Sequence, residues 1–386
     1  MTLLLAQVLF GFSFSTYFLL PKYLQTELGA GPSTIGWISG AAWTTSVLCV
    51  PITGSFVDRL GRRTFQLVGS ICMVFGCSLF ALADTVGPLL VLGRLLQGVG
   101  FSLYFVAAST TAADLAPPER LSQAIGWFGA TMVVTNALAP AIAEPLALSI
   151  GWENIFWGTA IFAGLAGISV LAIDFPPPHE TKVDSPFTEV LKKKNLHPIW
   201  FVSALAGLLF GAGITFSAPW ALDSGIERVS IFFISYACAS AFVRFAMGGM
   251  ADKYGHLKVA IMAMALYGIA PLLLIDISLF GLIIPGVALG AAQGLYYPAF
   301  NALAVAWSDA KVRGTVMALY NGSFNVGFTL GSVGMGPVVE LIGYPSMFVG
   351  TSGAAILALL LMAKMASDRK HEKNFSSNSP DPKSLE

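Results

Sequence analysis

The sequence predicts an all-α membrane protein: twelve transmembrane helices in two pseudo-symmetric six-helix bundles. Three observations lead there. Of 386 residues, 55% are hydrophobic and only 11% are Asp, Glu, Lys or Arg, where an ordinary soluble domain carries roughly a quarter charged residues. A water-soluble protein of this size cannot cover its surface with so few charges, which excludes a cytosolic enzyme. Once two polar stretches are set aside, the remainder divides into about a dozen apolar segments, each meeting the ~20 residues that one crossing requires. Motifs of the first half also recur in the second at a nearly constant spacing.

Proline, glycine and charge punctuate the chain into spans at 3–21, 34–57, 64–83, 88–112, 122–149, 154–174, 198–220, 230–250, 258–276, 280–307, 314–341 and 347–366. They group into an N-terminal bundle (1–174), a cytoplasmic linker (175–197), a C-terminal bundle (198–366) and a polar cytoplasmic tail (367–386). Pro176, Pro177 and Pro178 forbid a continuous helix through the linker, and Lys192, Lys193 and Lys194 suit a surface facing lipid headgroups. The first apolar run shows no cleavage pattern, so it reads as a retained span. With the N-terminus inside, seventeen of the 21 Lys and Arg residues fall on the inner side; Lys22 and Arg228 fall outside, and Arg94 and Arg244 lie within spans. That asymmetry puts both termini in the cytoplasm. The expected location is the cell inner membrane, as a multi-pass protein in the lipid bilayer.

The repeat is specific. Gly54, Asp58, Arg59 and Gly61 recur as Gly248, Asp252, Lys253 and Gly255, 194 residues on. Gln97-Gly98 recurs as Gln293-Gly294 at 196, and Gly151 with Phe156 recurs as Gly343 with Phe348 at 192. Two such halves with a site between them at mid-depth is one known transporter plan.

Chemistry-bearing motifs are few. Cys49, Cys72, Cys77 and Cys238 lie in apolar runs without zinc or redox spacing, so they read as small buried hydrophobes. All four histidines fall in polar loops or the tail. No His-Glu-x-x-His, Gly-x-Ser-x-Gly or phosphate-loop pattern occurs. The sequence therefore calls for no catalytic residue, cofactor, metal or nucleic acid, and for a monomer handling a small-molecule substrate.

Charges within the spans carry the functional signal. Arg94 lies about 9 Å, and Glu144 about 8 Å, below the outer ends of the fourth and fifth spans at ~1.5 Å per residue. A lone charge there costs at least ~2.5 kcal/mol on insertion scales, so pairing or facing water is expected. Two readings stay open. Either Arg94 anchors an anionic or polar substrate group while Glu144 carries a coupling proton, or the two form a permanent structural ion pair. Arg244 is expected to snorkel toward the cytoplasm, and Glu340 to wet its head outside. Polar side chains at helical spacing outline a cavity wall: Gln293, Tyr297 and Asn301 on the tenth span, Asn321 and Asn325 on the eleventh, Gln97 and Asn136 in the first half. Such groups are costly in lipid and so face protein or water. Among the aromatics Phe12, Tyr17, Trp43, Tyr104, Trp127, Trp220, Tyr236, Tyr296 and Tyr320, several near span ends read as an interface belt. Gly286, Gly290 and Gly294 form a close-packing ridge.

The stretch from Gly54 to Arg63, with Asp58, Arg59, Gly61 and Arg62 at their spacing, resembles the signature loop between the second and third helices of the Major Facilitator Superfamily. Arg94, Gln97, Gly98 and Gly100 look like that superfamily's second motif. Leu20 to Leu24, Leu28-Gly29 and Ile35-Gly36 are similar to the first two helices of its bacterial drug-efflux and sugar-efflux branches. The resemblance spans essentially the whole chain and implies a twelve-helix rocker-switch transporter. In relatives the loop aspartate finds its partner at the eleventh helix of the opposite half, here beginning near Gly314. Gly54, Asp58, Arg59, Gly61 and Arg62, with Asp252 and Lys253 of the repeat, are thus expected to form a conformational latch on the cytoplasmic side. The expected function is secondary active transport by alternating access, as proton-coupled export of small organic molecules. The alternative is uptake or facilitated transport of an organic anion held by Arg94.

Overall fold

Within a bilayer every backbone N–H and C=O has to be satisfied inside the chain, so long apolar runs fold as helices. The computed structural model describes residues 1–117, 120–175, 190–247, 249–278, 280–308 and 312–377; the side chains of 50–60, 121–123, 125, 252, 280, 313–314 and 369–377 lie outside that description. Helix α1 (Thr2–Ser15) passes through a 3-10 turn into α2 (Leu20–Thr26), and α3 (Pro32–Leu60), α4 (Arg62–Ala81), α5 (Pro88–Asp114), α6 (Leu121–Ile150) and α7 (Trp152–Leu171) follow. Beyond the linker come α8 (His197–Asp223), α9 (Ser230–Met247), the short α10 (Met250–Tyr254), α11 (His256–Leu272), α12 (Ile283–Ala306), α13 (Arg313–Val333) and α14 (Met335–Ser377).

The protein is an all-α, multi-pass membrane protein. Eight helical stretches among the described residues are long and apolar enough to cross a membrane, against the twelve expected. Helix α11 is only 17 residues long, α12 and α13 are diluted by Ser, Thr, Asn, Gln and Tyr, and the second half of α3 lies outside the side-chain description. The outward faces carry exposed Ile71, Phe75, Ile161, Ile168, Phe242, Phe245 and Leu360, an apolar surface that only lipid or a partner protein tolerates.

The repeated glycines have a backbone reason. Gly61 and its counterpart Gly255 have φ of +83° and +96°, and Gly151 and its counterpart Gly343 have +83° and +80°. Each turns one helix directly into the next through a conformation that L-residues with a Cβ resist. Other glycines let helices touch backbone to backbone. A Cβ at Gly98 would overlap the Ala42 carbonyl between α5 and α3, and one at Gly290 would overlap the Tyr236 carbonyl between α12 and α9. Gly286 and Gly294 abut Phe232 and Ser240 in the same way, so the ridge is an α9–α12 seam.

Two sequence expectations are corrected here. Tyr17, Tyr104, Tyr236, Tyr296 and Tyr320 are buried and do not form a belt, whereas Trp127 is exposed. Cys238 is exposed and Cys72 half-buried, and only Cys49 and Cys77 are buried. Position along a span gives depth but not the direction in which a side chain faces.

Candidate functional site

The site is built where residues 1–174 meet residues 198–366. Among the described residues, side-chain hydrogen bonds between these two parts run from the end carrying Lys22 to about mid-helix. Gln25 Nε2 donates to Asp223 Oδ1 at 2.6 Å, Thr44 and Thr329 hydroxyls meet at 3.4 Å, and Asn325 Nδ2 reaches Ser46 Oγ at 3.5 Å. Small residues let the helices close there: a Cβ at Gly36 would overlap the Ser332 carbonyl, and one at Gly336 would lie 2.7 Å from Ser33 Cα. The molecule is closed at its Lys22 end.

Glu144 is the hub of that closure. Its Oε1 accepts from Lys22 Nζ at 2.7 Å and from the Val229 backbone N–H at 2.9 Å, and its Oε2 accepts from the Ser230 N–H at 2.9 Å. Lys22 Nζ also donates to the Glu227 carbonyl at 2.5 Å. Both side chains are buried. A carboxylate on α6 thus caps the first turn of α9, where unpaired N–H groups and the helix dipole favour negative charge. Glu340 mirrors it: its Oε1 accepts from the Ser33 N–H at 3.0 Å, at the start of α3. Its head is therefore engaged at the surface, beyond the free wetting expected of it.

Arg94 lies deeper and has no such partner. Its guanidinium donates to Ile38 O at 3.3 Å, Ser39 O at 3.1 Å and Gln97 Oε1 at 2.7 Å, and its Cζ stands 5.7 Å from the Tyr17 ring centroid. All its acceptors are neutral, and no ion pair is formed among the described residues. The pairing with Glu144 is thus absent: equal depth did not bring the two to one face, and Glu144 turned to Lys22. Beside Arg94 opens a small cleft, lined by Phe14, Tyr17, Phe18 and Pro21, by Ser39 and Trp43 of α3, by Ile214 and Thr215 of α8, and by Phe328 of α13. Trp43 and Phe328 stack across it at 4.3 Å. A cation on an aromatic wall, drawn from both parts of the chain, suits a flat ligand with a negative end.

The Major Facilitator Superfamily model matches residues 3–234 and again 222–385. The chain belongs to the Major Facilitator Superfamily. Superfamily membership makes it a transporter of small organic molecules and not an enzyme. It is similar to the staphylopine export protein of Staphylococcus aureus, at 22% identity over 87% of this chain and 88% of that one. Its fold matches the crystal structure of the human organic anion transporter MFSD10 (TETRAN) with a TM-score of 0.71, 18% identity and coverage of 94% and 98%. A POT family transporter in complex with 5-aminolevulinic acid matches at 0.80, with 14% identity and coverage of 95% and 96%.

The other expected residues distribute as follows. Gln97 is fully buried and orients Arg94. Asn136 Oδ1 accepts from Ser15 Oγ at 2.7 Å, tying α6 to α1. Gln293 accepts from Tyr267, and Tyr297 donates to Asn321 Oδ1 at 2.5 Å, so these group on α11, α12 and α13 apart from the Arg94 cleft. Asn301 is half-buried. Of the latch, the side chains of Gly54, Asp58, Arg59 and Asp252 lie outside the described residues. Arg62 pairs with Asp114 at the end of α5, within its own part of the chain, and Lys253 is exposed over the Tyr254 ring.

Sequence reasoning missed Lys22 and Gln7. Lys22 was counted as an outer loop charge, yet Pro21 sits at a first-turn position that proline favours and the helix continues to Thr26. Gln7 is fully buried on α1 with neither amide atom bonded; its polarity within an apolar run was the available signal.

Proposed function

We propose that the protein is a secondary active transporter whose cargo is a small, partly aromatic organic anion, anchored at Arg94. Twelve spans form two six-helix bundles, residues 1–174 and 198–366, joined by the linker at 175–197. They alternate access to the cleft between them in the cell inner membrane, with both termini cytoplasmic. With the Lys22 end outside, the conformation described above faces inward. The observation that carries the anion reading is Arg94: a buried cation bonded only to neutral oxygens and walled by rings. An intramembrane charge left without a counter-ion is expected to meet one in a water-filled path. The fold neighbour MFSD10 is an organic anion transporter, and that supports the same cargo class here. Glu144 is the carboxyl that a proton would reach, and its neutralisation releases the outer closure. Export, the direction for which the staphylopine relative is named, is the first direction to test. Asp58, Arg59 and Arg62 would latch the cytoplasmic side in the opposite state.

The test is counterflow of 1-naphthoate in proteoliposomes, with a neutral control, 1-naphthalenemethanol. Saturable movement of the acid alone, lost in Arg94→Gln, is expected; equal movement of the alcohol, with Arg94→Gln indifferent, would overturn the reading. An imposed pH gradient with and without an uncoupler then reads coupling and direction.

A further inference from the structure

Arg244 is a second cation inside the bundle, and nothing above gives it a task. It stands on α9, half-buried, and its Nε is buried with no hydrogen-bond partner. Its guanidinium makes no hydrogen bond or ion pair among the described residues. Snorkelling toward the far end of α9 would leave its charge near lipid headgroups. Instead α9 and α12 run side by side, with Phe232 against Gly286, Tyr236 against Gly290 and Ser240 against Gly294, a register that sets Arg244 level with Pro298, next to Tyr297. Tyr236 lies eight residues back along α9, about 12 Å toward the Lys22 end, and helical side chains lean toward the N-terminus. The head therefore points into the protein.

The wall it faces is polar, aromatic and free of acid. Tyr267 of α11 packs on Tyr296 of α12 with ring centroids 5.6 Å apart, and Tyr297 packs on Tyr320 of α13 at 5.7 Å. Tyr267 donates to Gln293 and Tyr297 to Asn321, while the buried Tyr296 hydroxyl has no partner. None of α9, α11, α12 or α13 contains an Asp or Glu; the nearest acid in sequence is Asp252 on α10, beyond the break after α9. Among the described residues no acid meets Arg244, so an incoming anion can supply its counter-charge. Arg244 lies fourteen residues below the start of α9, roughly 21 Å down, and Arg94 only about 9 Å down its own helix. The two cations are therefore about 12 Å apart in depth and cannot share one small anion.

We propose that Arg244 and its tyrosine wall form a second anion subsite, on the inner approach to the Arg94 cleft, that takes the carboxylate of a small aromatic acid. The guanidinium fork matches a planar two-oxygen anion, and Tyr297 can turn the hydroxyl it donates to Asn321 onto that anion. The proposal rests on the anion reading given above for the cargo.

The experiment is equilibrium binding of 1-naphthoate to the full chain in nanodiscs. Two sites per chain are expected in the wild type, one in Arg244→Gln, one in Arg94→Gln and none in the double variant. Arg244→Lys keeps the charge but loses the fork, and should weaken the second site about tenfold. Tyr297→Phe keeps the ring and should weaken it about threefold to tenfold, which decides the matter if neither Arg244 variant yields folded protein. Two sites retained in Arg244→Gln, or a single site in the wild type, would overturn the proposal. Loss of one site in Arg244→Gln with no effect of Arg94→Gln would sink the Arg94 reading and leave this one standing.

Discussion

Neutralising Glu144 should open the Lys22 end. The carboxylate makes two bonds across the junction, to the Val229 and Ser230 N–H groups, and one to Lys22 on its own side. In Glu144→Gln the amide keeps one acceptor oxygen, so one N–H loses its partner and the other exchanges a charged acceptor for a neutral one. A hydrogen bond to a charged group contributes about 1.5–3 kcal/mol, and the downgrade of the other about 1 kcal/mol. The closed state should therefore lose about 2.5–4 kcal/mol, roughly a 60- to 700-fold fall in its ratio to the open state.

Lys22→Met separates this account from a simpler one. Among the described residues Lys22 contributes across the junction only its bond to the Glu227 carbonyl, and its removal leaves Glu144 still capping α9. The methionine variant should thus open less than the glutamine variant. Spin labels at the exposed positions Glu27 and Ser224, in a background lacking Cys49, Cys72, Cys77 and Cys238, report the separation in nanodiscs. Distance distributions identical in wild type and Glu144→Gln would refute the reasoning, as would equal opening in both variants, which is what a mere α2–α6 tie predicts.

Three further outcomes are expected. Arg94→Lys loses the planar fork bonded to Ile38, Ser39 and Gln97, and should raise the KM for 1-naphthoate in counterflow about tenfold or more while changing kcat less. Gly290→Ala places a Cβ onto the Tyr236 carbonyl, whereas Gly126→Ala meets nothing within 4 Å; thermal unfolding should show a loss of about 1–3 kcal/mol for the first and none for the second. Asp114→Asn removes the ion-pair partner of Arg62 in α5 and so weakens its hold within its own part of the chain; if Arg62 serves the proposed latch, label separations at that end should shift toward the closed population. An unchanged distribution would remove Arg62 from the latch.

Much of this architecture is legible because some residues have only one physical use. Gly61, Gly151, Gly255 and Gly343 announce their turns because positive φ selects glycine, and Gly286, Gly290 and Gly294 announce a helix seam because they share a face. Span ends were legible to within a few residues: 88–112 is α5 at Pro88–Asp114, and 230–250 is α9 at Ser230–Met247. The partner of Glu144 was not legible. Depth follows from counting residues, but rotation about the helix axis follows from the packing of α6 on α1 and α9, and that decides which cation a carboxylate meets. Lys22 was hidden for a related reason, since a charge near an apolar boundary reads as solvated unless a neighbouring helix covers it. Tyr236, Tyr296 and Tyr320 are not belt residues because they line the protein side of their helices.

The closure also shows where a symmetric scaffold becomes a switch. Glu144 and Glu340 stand 196 residues apart, the same offset as Gln97 and Gln293. Each reaches across the junction to cap the first turn of a helix, at Ser230 of α9 or at Ser33 of α3. A carboxylate in the first turn of a helix is held by the unpaired N–H groups and the helix dipole, and water and salt screen that attraction where it is exposed. Glu340 is exposed and Glu144 is buried, so water and salt weaken one cap and spare the other. The sequence sets the difference at the residue after a matched proline, Lys22 after Pro21 and Trp220 after Pro219. Trp220 spends its indole N–H on the Leu274 carbonyl at 2.5 Å and brings no charge to Glu340. One lysine thus makes one of two equivalent caps into a buried charge cluster. A single proton arriving at Glu144 then weakens two bonds across the Lys22 end, whereas protonating Glu340 weakens one. Swapping the asymmetry, with Lys22→Trp and Trp220→Lys in one chain, should move sensitivity of the label separation from Glu144→Gln to Glu340→Gln; sensitivity left at Glu144 would mean that burial, and not the lysine, makes the switch.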